Sequence, residues 1–286
     1  MRNNQERLGS KKSLEQNDEI LALESKVQNS SGGLNLNFVA PTEFIELPSQ
    51  GKFYPDGHPL RDVSNVEIKQ MTAKEEDILT NRSFIKKGVA LERLLESLIV
   101  DKRVNPGDML ISDRNAILVS ARISAYGKSY VTSIICPSCQ TKTKYTFDLL
   151  EKLEESLEED QEVVSEITEQ GTFYLNLPST GWKIECRALS GHDEKKIVAY
   201  ITDKTKENMT LMQQLNLLVV SINGVFDRAI IEKALEVMPA SDSRFLRKEY
   251  DKRIPGLDLK NTFTCKSCDH EEVMEVPLTA EFFWPK

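Results

Sequence analysis

Apolar and polar positions alternate in two rhythms along the chain, and together they predict a mixed α+β fold. Phe44-Ile45-Glu46-Leu47 has strand character and runs into the turn sequence Pro48-Ser49-Gln50-Gly51, while Val66-Glu67-Ile68-Lys69 alternates as a second strand. Thr72-Ala73-Lys74-Glu75 has capping-box spacing, which places a helix start at Ala73. Leu91, Leu94, Leu95, Leu98 and Ile99 recur with a helical period and predict a second helix. A third is predicted from Ser112 to about Tyr126, with Gly127 as a left-handed cap. Tyr130 to Ile135 then reads as a strand, Cys136-Pro137-Ser138-Cys139 as a knuckle, and Lys142 to Phe147 as the returning strand.

Much of this order repeats. Leu47-Pro48-Ser49-Gln50-Gly51 recurs as Leu177-Pro178-Ser179-Thr180-Gly181, and Thr72 with Glu75 recurs as Ser190 with Asp193. Ser112-Asp113 recurs as Ser241-Asp242, and the Cys136/Cys139 pair as Cys265/Cys268. From Leu47 to Cys136 is 89 residues and from Leu177 to Cys265 is 88, while Ser112 to Cys136 and Ser241 to Cys265 are both 24. The interiors differ: the first half has a longer stretch before its helices, and the second has extra helix from Asp227 to Met238. The predicted architecture is therefore two duplicated, pseudo-symmetric halves of strands, helices and a β-knuckle hairpin, residues 37–150 and 171–286. Before them, residues 1–36 are polar and end in Asn29-Ser30-Ser31-Gly32-Gly33, the composition of a disordered tail. Within this tail Ile20, Leu23 and Val27 fall at helical spacing.

Charge marks the junction. The 286 residues carry a net charge of −8, and residues 151–169 hold nine acids against the single base Lys152. The stretch 151–170 is thus expected to be an acidic linker, helical at its start, where Leu149, Leu150, Leu153 and Leu157 form a stripe. The remainder is neutral, without the basic excess of a sequence-independent nucleic-acid binder. No apolar run approaches the roughly 18 residues that a membrane span needs, and the N-terminus has no signal-peptide core, so a reducing compartment is expected.

The sharpest chemical signal is the cysteines. Cys136, Cys139, Cys265 and Cys268 form two C-x-x-C pairs, each flanked by strand-like sequence. A two-residue spacer lets both thiolates of a knuckle face one tetrahedral ion, and two knuckles complete a four-thiolate shell that suits zinc. The 125 residues between the pairs far exceed the roughly 15–20 of a compact zinc ribbon. Packing of the two halves about a pseudo-two-fold axis would bring the knuckles to one structural Zn²⁺ per chain, a split zinc ribbon. A redox dithiol, plain buried cysteines, half-sites completed across a homodimer and iron–sulfur ligation remain open alternatives. His270 is expected to be an exposed hairpin residue, and Cys186, which aligns with Ile68, an apolar core position.

Catalysis is not expected. The three histidines, His58, His192 and His270, stand in unrelated contexts, no P-loop, dinucleotide or nucleophile-elbow pattern occurs, and a four-cysteine zinc has no open position for water. The alternative function is a zinc-ribbon nucleic-acid-binding regulator, for which Arg244, Arg247, Lys248, Lys252 and Arg253 speak and the acidic Asp269, Glu271, Glu272 and Glu275 do not.

Leu47-Pro48-Ser49-x-Gly51-x-x-Tyr54-Pro55, then Met71-Thr72-Ala73-x-Glu75-Glu76, then Ile135-Cys136-Pro137-x-Cys139, resembles the baseplate proteins of T-even-like contractile-tail bacteriophages, as does the closing Phe282-Phe283-Trp284-Pro285. The resemblance implies a hub component or hub-assembly protein that meets other phage baseplate proteins. It also implies assembly in the host-cell cytoplasm, with a place in the finished virion tail baseplate and departure after assembly as the two open outcomes. It assigns no catalytic residue and carries over only the four paired cysteines. Tyr54 and the terminal Phe282-Phe283-Trp284 are candidate interface anchors, and self-docking of the C-terminal group onto its own core is the competing expectation.

Overall fold

The structure is a computed structural model and describes residues 40–158, 167–202, 211–276 and 278–283. The tail of residues 1–36 with its helical stripe, residues 159–166 of the acidic linker and Trp284-Pro285 lie outside the described residues.

The first part opens with an antiparallel hairpin of β1 (Thr42–Glu46) and β2 (Asn65–Lys69). Its inner face carries Ile45, Val66 and Ile68, all buried, as the period-two pattern requires. Gly51 in the long connection has φ +75°, and a Cβ there would lie 2.4 Å from the Val63 nitrogen, so only glycine fits this turn. Helix α1 (Ala73–Thr80) begins with the predicted capping box: the Thr72 hydroxyl accepts from the helix start and Glu75 accepts the Thr72 N–H at 2.9 Å. A short helix α2 (Arg82–Lys86), capped by Asn81, and α3 (Ala90–Leu98) follow. The long α4 (Ile111–Tyr126) has Ala116, Ile117, Val119 and Ala121 buried through its middle. Gly127 ends it with φ +83° and ψ 167°, which corrects the expected left-handed cap: the glycine donates its N–H to Ile123 and sends the chain straight into a strand instead of a further turn. Strands β3 (Ser129–Ile135) and β4 (Lys142–Asp148) form the first knuckle hairpin.

Helix α5 (Leu149–Glu158) starts the acidic stretch. Glu151, Glu154 and Glu155 face solvent, whereas Leu149 and Ser156 are buried and the Ser156 hydroxyl accepts the Asp258 N–H. The second part is built in a similar order. Strands β5 (Thr172–Asn176), β6 (Lys183–Arg187) and β7 (Val219–Ile222) form a three-stranded sheet. Helices α6 (Gly191–Thr202) and α7 (Leu211–Leu218) lie between β6 and β7, followed by α8 (Arg228–Glu236) and α9 (Ala240–Arg253). Strands β8 (Lys260–Thr264) and β9 (Glu271–Glu275) form the second knuckle hairpin, and a 3₁₀ turn at Ala280–Phe283 closes the described chain.

One continuous apolar core runs through both parts. Phe53 meets Phe173 edge to face at 6.1 Å, and Gly171 is held so close that a Cβ would sit 2.4 Å from the Phe53 carbonyl oxygen. The loop before α4 pairs with the start of α6: Ile111 donates to Leu189, Gly191 to Met109 and His192 to Gly107. Arg114, buried, donates to Glu194 at 2.6 Å across the same seam. Cys186 is fully buried, as is its counterpart Ile68. Tyr54 and the C-terminal phenylalanines correct the interface-anchor expectation, because all three are buried in the chain's own core. Tyr54 is drawn in by Asp113, and Phe282 packs on Tyr130 at 5.3 Å while its carbonyl accepts from Arg122.

Candidate metal centre

Each cysteine pair sits on a tight turn between antiparallel strands, and the two turns are built alike. In the first, Cys136 N–H donates to Thr141 O at 3.0 Å and Gln140 N–H to Cys136 O at 2.9 Å. In the second, Cys265 N–H donates to His270 O and Asp269 N–H to Cys265 O, both at 2.9 Å. Gln140 and Asp269 hold the matching left-handed positions, with φ of 58° and 52°. Each turn thereby folds its two sulfurs to one side. His270 is half-buried and contributes its backbone oxygen to the turn.

The hairpins meet face to face. Tyr145 on β4 packs edge to face on Phe263 of β8 at 5.7 Å, and its hydroxyl donates to the Thr262 carbonyl at 3.0 Å. These contacts set the distance between the turns, and sequence inspection missed them. An aromatic at an outward position of a hairpin with a polar tip was their one available signal. With the hairpins so placed, all four sulfurs lie within 4.8 Å of one another. Cys136 and Cys268 are 3.7 Å apart, and Cys139 and Cys265 are 3.6 Å apart. A tetrahedral ion with metal–sulfur bonds of about 2.3 Å requires sulfur–sulfur separations of about 3.8 Å. The donor set therefore fits a four-thiolate metal site in number, chemistry and spacing.

The electrostatics favour a cation here. The Thr141 hydroxyl, with Sγ 3.3 Å from its oxygen, and the Thr141 amide stabilise the Cys139 thiolate, and the thiol is drawn down to about 6. The His270 amide favours ionisation of Cys268, yet the thiolate beside it pushes that thiol up to about 12. Four sulfurs this close cannot all ionise unless a positive charge sits among them. Cys136 and Cys265 are buried, while Cys139 and Cys268 lie at the surface.

A second pair of matched contacts explains the other recurring landmarks. Asp113 at the start of α4 accepts from the Ser49 N–H at 3.0 Å, the Ser49 hydroxyl at 2.6 Å and the Tyr54 hydroxyl at 2.7 Å. Asp242 at the start of α9 accepts from the Ser179 and Thr180 N–H groups, both at 2.9 Å, and from the Thr180 hydroxyl at 2.8 Å. In both parts a helix-start aspartate clasps the turn after the first strand. The repeated Leu-Pro-Ser-x-Gly and Ser-Asp segments are thus the two sides of one contact.

Residues 40–284 match the T4 bacteriophage base plate protein family. The chain belongs to this family. No curated protein and no solved structure matches it. The matched range takes in both knuckles and both aspartate clasps, so these features lie within the T4 base plate protein module. As a base plate protein the chain is a structural part of a phage tail, and its surfaces meet other phage proteins. Among the described residues no helix is long and apolar enough to cross a membrane.

Proposed function

We propose that this base plate protein is a non-enzymatic component or assembly factor of the tail hub, whose two duplicated halves are clamped by one structural zinc. The observation that carries the clamp is the convergence of Cys136, Cys139, Cys265 and Cys268 within 4.8 Å across a long stretch of intervening chain. Ion capture by four thiolates contributes about 10 kcal/mol or more in favourable systems, on the scale of a whole domain's stability. Such a clamp would hold the two knuckle hairpins, and with them the two parts of the chain, in one arrangement. The matched hairpins, knuckles and aspartate clasps support the duplication. Family membership supports assembly in the host-cell cytoplasm and a place in the virion tail.

Native mass spectrometry of the purified chain, counting metal and subunits together, tests the clamp: one zinc per monomer is expected. A homodimer that dissociates on chelation would put the site between chains, and a metal-free chain with disulfides would replace the clamp by redox chemistry. Complementation of a phage lacking the protein tests the role: the wild-type chain restores tails, and a Cys136→Ser/Cys139→Ser chain restores them poorly. Full rescue by a chain that binds no metal would overturn a structural zinc in the hub.

A further inference from the structure

The hairpin β1–β2 has an inner face buried in the core and an outer face formed by Thr42, Phe44, Glu46, Asn65, Glu67 and Lys69. Phe44 stands at its centre and is 72% exposed. Leu47 N–H donates to Ser64 O and Gln70 N–H to Pro41 O, so Phe44 and Glu67 form a non-hydrogen-bonded pair. Their side chains therefore lie as close as cross-strand neighbours can, and the backbone groups of Thr42, Phe44 and Glu46 point away from β2. Among the described residues, no backbone group bonds to them on that edge. Neither Glu46 nor Glu67 has a side-chain hydrogen bond or ion pair among the described residues. Lys69, the face's cation, lies opposite Thr42, one pair along this face from Phe44 on the side away from Asn65, in a field shared with Lys102. Among the described residues it makes no ion pair and no cation contact with that ring.

The equivalent position in the second part shows what completes such a site. Tyr174 is likewise the third residue of its strand and opposes Glu185, as Phe44 opposes Glu67. Lys183, diagonal to Tyr174 on β6, lays its ammonium over the ring at 4.0 Å, and Glu185 is satisfied by the Thr172 and Ser221 hydroxyls. At the position of Lys183 the first hairpin has Asn65. The ring and the two carboxylates around Phe44 thus have no cation of their own at the matching place.

We propose that the outer face and free edge of β1–β2 dock an extended segment of a partner protein, whose lysine or arginine lies over Phe44 between Glu46 and Glu67. Backbone pairing along β1 supplies the register and the cation over the ring supplies the selectivity. The carboxylates favour a basic segment over a neutral or acidic one.

The test places 4-fluorophenylalanine at position 44 of the full zinc-loaded chain and follows its ¹⁹F resonance during titration. The probes are the blocked peptide acetyl-Thr-Val-Arg-Val-Thr-amide and the same peptide with citrulline for arginine. A saturable shift with the arginine peptide is expected, at least five-fold weaker with citrulline and at least five-fold weaker in Glu67→Gln. No saturable shift, or equal responses to both peptides, overturns the proposal. A shift that grows with protein concentration alone would assign the face to a second copy. A response that appears only after removal of residues 1–36 would assign it to this chain's own N-terminal segment. The fluorine readout does not involve the cysteines, so failure here leaves the zinc clamp standing.

Discussion

The Cys139 sulfur lies 3.6 Å from the Cys265 sulfur although 126 positions separate them in sequence. That closeness joins the two knuckle hairpins at their tips, while Tyr145 and Phe263 join them along their flanks. Each link supports the other: the aromatic contact places the sulfurs, and an ion among the sulfurs would hold the hairpins against thermal parting.

Serine substitution at one knuckle should therefore loosen both. Cys265→Ser removes a soft ligand from a four-thiolate shell, and zinc retained per chain is expected to fall from one to well below one at neutral pH. Chelation of the wild-type protein should lower its melting temperature to that of the variant and leave the variant's own melting temperature unchanged. A variant that melts with the wild type, and responds equally to chelator, would show that the sulfurs hold no structural ion.

The two aspartate clasps should respond differently to pH, although they do the same job. Burial pushes the Asp113 carboxyl above its ordinary range, despite the Ser49 and Tyr54 hydroxyls that favour its charge. Burial also disfavours the Asp242 carboxylate, but the Ser179 and Thr180 donors outweigh it and hold that group below its ordinary range. A raised folded value contributes stability that is full below the unfolded value of about 4 and is lost as pH rises through the folded value. A lowered folded value contributes stability that is complete above about 4 and is lost only on acidification. Asp113→Asn should thus cost less at pH 7.5 than at pH 5, whereas the cost of Asp242→Asn should stay constant over that interval. Urea unfolding of each variant beside the wild type at both pH values checks this. Equal pH trends for the two variants would contradict the assignment.

What could be read in the sequence follows the distance over which each feature is determined. The Thr72/Glu75 capping box and the Ala73 helix start are set by residues three apart, and both occur as expected. The cysteine pairs were legible because a knuckle needs two sulfurs at fixed spacing, and their recurrence pointed to the meeting of distant turns. Tyr54 was misjudged because its burial depends on Asp113, 59 residues onward, which no local pattern records. Strand β7 escaped notice because the apolar run Leu217 to Val220 passes from helix to strand without a turn signal. Helix α2 is too short for a period to register, and only the Asn81 side chain, accepting from Ser83 and Phe84, marks its start.

Among the described residues, Asp193 is the most heavily partnered carboxylate of the second part. It accepts from Arg187 at 2.7 and 2.9 Å, from the Ser190 N–H and hydroxyl, and from Lys196. Burial disfavours its charge, yet these donors, Arg187 foremost, hold the carboxyl well below the usual range. Asp193→Ala leaves the Arg187 guanidinium and the Ser190 amide at the head of α6 without their acceptor, and should destabilise the chain by about 3 kcal/mol. Asp193→Asn keeps the helix cap and loses the charge, so its cost should be about half. Equal, negligible costs in urea unfolding would mean that the network is replaced by water.

Phe282 distinguishes a structural C-terminus from a docking one. Its ring lies on Tyr130 at 5.3 Å and against Phe283 at 5.4 Å, and its carbonyl accepts from the buried Arg122. Emptying that site removes a large apolar side chain from between β3 and the end of α4, where rigid neighbours cannot close the gap. Phe282→Ala should therefore cost about 3–5 kcal/mol of folding stability. The loss should appear in the isolated chain, without any phage partner, as a lower urea midpoint with an unchanged slope. An interface anchor would behave in the opposite way: the isolated variant would unfold like the wild type, and only its incorporation into tails would suffer. Because Phe282 has its contacts within the chain, the stability loss should come first, and any assembly defect should scale with the fraction unfolded.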